Sequence, residues 1–496
     1  MNVATDPAAS GAPGAFSEAK RALLARRLQG AARGNESPST GIPRRAKGTL
    51  SAPLSASQTR LWRHHATHPT SIVHNVPMGR RIVGPLRADL LRRAFEAVMQ
   101  RHEILRTGYR LEAGQPTQVV LPAGSGFFSE VDLQHLPAGD REAAWREAAL
   151  HTASEPFDLA AGRVFRVRLW RLSPEEHVLV LCEHHIAADA WSTSILFREI
   201  GILYRAMLSG LPSGLADLAL QYGDFALWQA GELRRSTLPA QLDYWRHRLD
   251  PFPATSPLPP DHPRGDRPTF RGAYAEFQVP AGPRSQLHRI AHDHGATLYM
   301  VLLAAFTALL HHRSHTDDIV VGTPVAGRPR PELESLIGFF LNTLVMRTST
   351  SGNPSFLELL DRVKETAMGA YANQEAPIEL VLEGANRPGG GTTPPFPHVM
   401  LVLQNAPIEP LDLPGMEISL LEIPIESSKH DLTFGMWERG AILQGWIEYN
   451  TDLFDASTME ELASDWNQLL VRVGNDPTLR LDKLAPGGTP RLARAG

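Results

Sequence analysis

His177-Val-Leu-Val-Leu-Cys-Glu-His-His-Ile-Ala-Ala-Asp-Ala-Trp-Ser192 sets an apolar run, Val178 to Cys182, against an abrupt polar stop. The run is long enough for one buried strand, and the segment after it, Ser192 to Leu208, has helical spacing. Two histidines therefore stand where a core strand ends, with Asp189 four residues after the second. Successive side chains of a strand point to opposite faces, so His184 and His185 cannot both look into one site without distortion. The expectation is one catalytic histidine and one structural. A general base needs a ring fixed by its neighbours and a free nitrogen open to substrate, and a strand end supplies both. Paired histidines at such a place are as readily just satisfied or solvated, and a His-His-Asp set also admits a metal. Against the metal, adjacent strand histidines diverge and no Cys or carboxylate cluster with ligand spacing lies nearby.

The chain has 496 residues, 43% hydrophobic and 21% charged, enough for a sizeable core and for two to four domains. A net charge of −4 gives no reason to expect nucleic acid, which calls for a strongly basic surface. The single cysteine, Cys182, excludes an internal disulfide and reads as a small buried hydrophobe within its strand. No signal-peptide pattern opens the sequence, and the longest apolar run, around Met300 to Leu310, is too short to span a bilayer. The expectation is a cytoplasmic protein, monomeric, with no membrane or nucleic-acid partner.

Residues 1–49 read as a disordered or linker segment. Within them Ser17 to Leu28 forms a short candidate docking helix with a Leu23, Leu24, Leu28 stripe, equally readable as a linker helix; a polar linker through Arg44, Arg45 and Lys47 follows. Asp89 to Glu103 carries Leu90, Leu91, Ala94, Phe95 and Val98 at helical spacing. Arg163 to Leu172 alternates apolar and basic residues and turns at Ser173-Pro-Glu-Glu into the His177 strand, a hairpin that feeds the site. Pro251 to Pro268 holds seven prolines and divides a first lobe, 50–250, from a second, 269–485, ahead of a flexible 486–496 tail. After the linker the same kinds of element recur, ending in a helix from Met459 to Val473 that stops at Gly474.

Six stretches together resemble the condensation domains of nonribosomal peptide synthetases, within the chloramphenicol-acetyltransferase-like superfamily. They are Leu54-Ser-Ala-Ser-Gln-Thr-Arg-Leu-Trp62, Arg101-His-Glu-Ile-Leu-Arg-Thr107, His184-His-Ile-Ala-Ala-Asp-Ala190, Tyr222-Gly-Asp-Phe-Ala-Leu-Trp228, Ile337-Gly-Phe-Phe-Leu-Asn-Thr343 and Asn373-Gln-Glu-Ala-Pro-Ile-Glu379. Each short motif alone is moderately specific; six in the family's order are much more so. Ser57 stands where the first motif usually has Ala, and Ala190 where the third has Gly. A methyl group at position 190 costs about 1 kcal/mol if φ must be positive and almost nothing if it is negative.

The resemblance implies an α/β fold of two chloramphenicol-acetyltransferase-like lobes, a V-shaped pseudo-dimer with a central tunnel. It implies that His185 is catalytic, that His184, Asp189, Arg101 and Arg106 hold the motif, with Arg101 paired to Asp189, and that Trp228, Ser192 and Asn342 line or support the tunnel. Thr323 to Arg328 resembles a segment that latches the lobes. No intrinsic cofactor and no metal are implied; phosphopantetheine arrives on an acyl or peptidyl carrier protein, and the acceptor is a small molecule or carrier-bound. With no carrier serine motif or adenylation sequence in the chain, the expectation is a free-standing enzyme that transfers an acyl group to an amine or hydroxyl, as amide or ester, in peptide or hybrid polyketide biosynthesis, chain release included. The rivals are an acyl-CoA-dependent acyltransferase of the same superfamily and a non-catalytic recruitment module.

Overall fold

Strand β7 (Glu176–His184) shows why the central run is apolar on both sides. Leu179 and Leu181 face helices Ala88–Arg101 and Ala190–Ser209, packing with Leu91, Phe95, Phe197 and Ile200. Val178 and Val180 face helix Ala138–Ser154, packing with Trp145 and Ala149. A strand covered on both faces loses its polar alternation.

A computed structural model describes residues 41–124, 126–232, 238–253, 256–384, 396–404 and 409–485. The candidate docking helix, Ser17 to Leu28, and the 486–496 tail lie outside the described residues. The first half contributes β1 (Ser51–Pro53), β2 (Asn75–Val83), β3 (Thr107–Glu112), β4 (Gln115–Val120), β5 (Phe128–Asp132), β6 (Phe165–Ser173) and β7. The second contributes β8 (Gly272–Val279), β9 (Asp318–Val325), β10 (Asn342–Ser349), β11 (Val399–Gln404), β12 (Glu417–Leu421), β13 (Leu432–Arg439) and β14 (Ile442–Asn450). They form a three-stranded sheet, β1-β4-β3, and two larger sheets, β12-β2-β7-β6-β5 and β10-β9-β11-β13-β14-β8. Each larger sheet carries helices, giving the two-lobed α/β fold. In the second lobe helix Leu298–Ser314 is the core: every residue from Met300 to Leu310 is buried, as an all-round apolar helix requires.

The lobes exchange material. Strand β12 leaves the second half of the chain and pairs antiparallel with β2, Glu417 opposite Val83 and Leu421 opposite Gly79. Leu333, Leu336, Ile337, Phe339 and Phe340 are buried in the first lobe's core as well. The 269–485 span is therefore not confined to its own lobe, which periodicity alone could not show.

Two local readings are corrected. Arg45, read as part of a polar linker, has its side chain 6% exposed and paired through Nε with Asp224 at 2.7 Å and through Nη2 with Glu103 at 2.5 Å. It ties the chain to the start of helix Tyr222–Glu232. The last long helix runs from Ala456 to Asn475, past Gly474. A Cβ at Gly474 would lie 2.3 Å from Gln286 Oε1, so this glycine allows close packing instead of ending the helix.

Among the described residues no single helix is long and apolar enough to cross a membrane. Helices Ala281–Asp293 and Leu298–Ser314 pass only as a pair bent by 110°, and the second is the buried core helix.

Candidate active site

The strand ends at His184, and pairing continues one residue further: the His185 N–H donates to His74 O at 2.8 Å. The chain then turns, the Ala187 N–H reaching His184 O at 3.0 Å, and Asp189 caps helix Ala190–Ser209 by accepting the Ser192 N–H at 2.8 Å. This turn sends the two imidazoles apart. His184 is buried, with Nδ1 accepting the Ile186 N–H at 3.1 Å and the ring against His65, His74 and Phe157. His185 stays partly exposed, its ring 5.0 Å from that of Phe339.

His185 Nδ1 lies 2.7 Å from Ala188 O, so Nδ1 carries the proton and Nε2 the lone pair. Burial, then the Lys429 ammonium, push the imidazole down to about 4, against smaller opposite pulls from the Ala188 carbonyl and Asp189. At neutral pH the ring is uncharged, with its basic nitrogen available.

Asp189 works across the seam between lobes. Its carboxylate accepts from Ser192 Oγ at 2.7 Å, from the Phe340 N–H at 3.1 Å and from Arg328 Nη2 at 3.2 Å. The Arg328 side chain is 2% exposed; it also donates to Leu333 O and Leu336 O at 2.6 and 2.8 Å, and its guanidinium lies 3.9 Å from the Phe340 ring centre. Ser192 Oγ accepts the Gly338 N–H at 3.0 Å and meets Arg328 Nη2 at 2.9 Å. Three other motifs join here: Ser55 Oγ lies 2.9 Å from Tyr222 Oη, which donates to Phe339 O at 2.6 Å. A Cβ at Gly338 would lie 1.9 Å from Tyr222 Cδ2, so only glycine fits beneath that ring.

The expected Arg101–Asp189 pair does not form. Arg101 Nε donates to Glu199 at 3.2 and 3.1 Å, and His102 Nε2 lies 2.8 Å from the same carboxylate. Glu199 stands ten residues beyond Asp189, about 15 Å along the helix, and helix Ala88–Arg101 meets its neighbour there. Arg106 Nη1 donates to Leu121 O at 2.6 Å, bracing the end of β4. Both arginines hold the scaffold behind the motif. Asn342 donates to Gln374 O and Ala376 O at 2.8 Å and accepts the Ile378 N–H at 3.1 Å, fixing the 374–378 turn. Asn342 and Trp228 border a cleft of about 130 Å³ shared with Arg328 and Gln229. The partnership of Asp189 with Arg328, 139 residues away, was missed because no local spacing announces it.

Ala190 is the first helical residue, exposed and without a positive φ. The methyl group obstructs nothing, so Ala190→Gly is expected to leave turnover within about twofold and to lower stability by no more than about 1 kcal/mol, read from initial rates and thermal melts.

Glu183, fully buried, is pushed up to about 7 by burial, with Thr193 Oγ1 on Oε2 at 3.2 Å and no partner for Oε1 among the described residues. Its folded value exceeds that of the unfolded chain, so its stabilising contribution is complete below the ordinary carboxylate range and is lost as pH rises through about 7. Glu183→Gln is therefore expected to raise stability at pH 8 by up to about 3 kcal/mol and to change it far less at pH 5, measured by urea denaturation.

Cys182 is buried in its strand and pushed up to about 12, which removes it as a nucleophile. Among the described residues no three His, Cys, Asp or Glu side chains are arranged to hold a metal ion.

Comparison with known proteins gives this geometry its family. The sequence profile of the condensation domain matches residues 50–486. The chain belongs to the condensation-domain family. This condensation domain is 36% identical over 433 residues to chondramide synthase cmdD of Chondromyces crocatus, a match covering 87% of this chain and 11% of that one. It is 37% identical over 471 residues to phosphinothricin tripeptide synthetase PhsC of Streptomyces viridochromogenes, covering 95% and 43%. The chain thus spans less than half the length of these curated relatives. Among solved structures it resembles the X-domain from teicoplanin biosynthesis at a TM-score of 0.81 and 28% identity, over 89% of this chain and 99% of that one. SgcC5 of Streptomyces globisporus shares the fold at a TM-score of 0.71 and 24% identity, over 86% of this condensation domain and all of SgcC5 (100%).

Proposed function

We propose that this condensation domain transfers an acyl group from the phosphopantetheine thioester of a carrier protein to an amine or hydroxyl acceptor, making an amide or ester. The observation that carries the reading is the partly exposed His185 ring at the seam of two lobes, its Nδ1 tied to Ala188 O so that Nε2 is left as the acceptor, with no donor on it among the described residues. The acceptor's nitrogen or oxygen bonds to the thioester carbon while Nε2 takes its proton. The C–S bond then breaks, and the departing sulfur takes that proton from the ring. The thioester is already activated, so bringing both reactants together supplies much of the acceleration. Arg60 and Lys429, the cations that act on His185, also favour an uncharged amine over its ammonium form, and only the uncharged amine is nucleophilic.

The test is intact-protein mass spectrometry of acyl-loaded carrier proteins offered with a panel of amines and alcohols, alongside the matching acyl-CoA. Loss of the acyl mass from the carrier with appearance of an amide or ester supports the reading. Turnover from acyl-CoA alone moves the protein to the acyl-CoA-dependent class. A second reading, a recruitment module, draws on the likeness to an X-domain solved in complex with OxyB, at a TM-score of 0.81 and 27% identity. The open Nε2 of His185 has no use in that role.

A further inference from the structure

A single hydrogen bond leaves an imidazole free to tilt. Ala188 O holds His185 at Nδ1, 2.7 Å away, but the ring can still turn about that line and carry Nε2 off its direction. A second residue holds the face of the ring. The Phe339 ring lies against it with centroids 5.0 Å apart and planes tilted by 59°, the spacing of a packed aromatic pair. Phe339 is 2% exposed and comes from the second half of the chain, whereas His185 comes from the first.

Three consecutive peptide groups fix where that ring stands. The Gly338 N–H donates to Ser192 Oγ at 3.0 Å, and the Phe340 N–H donates to Asp189 at 3.1 Å. Between them, Phe339 O accepts from Tyr222 Oη at 2.6 Å. The first two bonds belong to the latch around Asp189, and the third does not. Tyr222 is 1% exposed at the start of helix Tyr222–Glu232, its ring 5.5 and 4.9 Å from those of Phe225 and Phe340. With its one proton given to Phe339 O, the phenol can only accept from Ser55 Oγ, 2.9 Å away. Ser55 in turn caps helix Ala56–Thr67, accepting the Gln58 N–H at 3.1 Å. A helix cap, a buried phenol and an aromatic ring thus stand in series behind one imidazole.

We propose that Phe339 is a positioning residue for His185, its ring fixing the tilt of the imidazole, and that the Tyr222 hydroxyl holds Phe339 in place through Phe339 O. This rests on the acyl-transfer reading. Neither side chain takes or gives a proton of the reaction; both act by keeping Nε2 in one direction.

The test uses the full chain, an acyl-loaded carrier protein as donor and the pantetheine amide of alanine as acceptor. Tyr222→Phe, which removes one oxygen, is expected to lower kcat about 3- to 10-fold, the worth of one net hydrogen bond, with the donor KM within about twofold. Phe339→Ala is expected to lower kcat about 10- to 100-fold, the cost of a misaligned base, and Phe339→Leu, which keeps most of the buried volume, to recover part of this. A residue that only supports the fold moves the melt and the folded fraction; a positioning residue also moves the base. Burial is the first cause of the His185 value of about 4, so uncovering the ring in Phe339→Ala should raise the acid limb of kcat/KM toward the ordinary 6.5. Lys429, Asp189 and Arg60, the charged groups acting on the ring, are unaltered in these variants. Nitrogen NMR of labelled histidine, with His185 assigned through His185→Gln, reads the same change without turnover. Wild type should show the Nδ1–H form and a midpoint near 4, and Phe339→Ala a higher midpoint with some Nε2–H form. An unmoved limb with an unchanged His185 spectrum in Phe339→Ala, or a Tyr222→Phe rate loss that only matches its unfolded fraction, overturns the role. Where Phe339→Ala does not fold, Phe339→Leu and Tyr222→Phe carry both readings. Failure of the wild-type protein to transfer counts against the acyl-transfer reading, and the His185 spectrum then decides Phe339.

Discussion

His185→Ala is expected to slow acyl transfer by about 10²–10⁴-fold while leaving donor binding little changed. Among the described residues the ring makes no hydrogen bond to the latch between the lobes: its Nδ1 lies on Ala188 O, and Phe339, on which the ring packs, is anchored through its own carbonyl. Removing it takes away a proton acceptor without opening the seam, so the thermal melt should hardly move. The loss should be larger for hydroxyl acceptors, which are almost wholly protonated at neutral pH, than for amines that arrive uncharged. The pH profile offers a second check. With the imidazole near 4, the acid limb of kcat/KM belongs well below the ordinary histidine range. Stability moves in the same direction. His64, His185 and His430 are each held near 4 when folded, so the stability they contribute is complete above about 6.5 and is lost as pH falls toward 4. Rates at low pH therefore need a melt at each pH beside them. Equal turnover by His185→Ala and wild type would remove His185 from the mechanism.

The sequence made the local parts of this site readable, because each is encoded within a few residues. The Val178 to Cys182 run announces a buried strand, and the helical spacing from Ser192 to Leu208 announces the helix that follows. What it hid was anything set by contacts distant in the chain. Asp189 and Arg101 were paired because both fall in family motifs, yet helix Ala88–Arg101 delivers its end to Glu199 and leaves Asp189 to Arg328. Strand β12 reads as an ordinary short strand of the second half, and nothing in its residues says that it pairs with β2.

Asp189→Ala is expected to destabilise the protein by about 3–5 kcal/mol, the usual cost of stripping one partner from a buried ion pair. About 1 kcal/mol of this is the lost helix cap, because the Ser192 N–H loses its acceptor. The rest comes from Arg328, whose side chain is 2% exposed and loses its ion-pair partner, and from the Phe340 N–H, which loses its acceptor. Activity should fall as well, even where the variant is folded. The same carboxylate fixes Phe340 and Ser192, and Ser192 fixes Gly338; between these lies Phe339, whose ring packs on His185. Arg328→Met should cost a similar amount by the opposite route, stranding Asp189 and freeing the carbonyls of Leu333 and Leu336. The double variant then separates a latch from two independent supports. If the pair acts as one unit, its loss is clearly smaller than the sum of the single losses, by roughly 1–3 kcal/mol in a double-mutant cycle measured by urea denaturation. Strict additivity would mean that Asp189 and Arg328 stabilise their own lobes separately, and the two halves of the fold would then be held together by the β12–β2 pairing and the buried Phe339 and Phe340 instead.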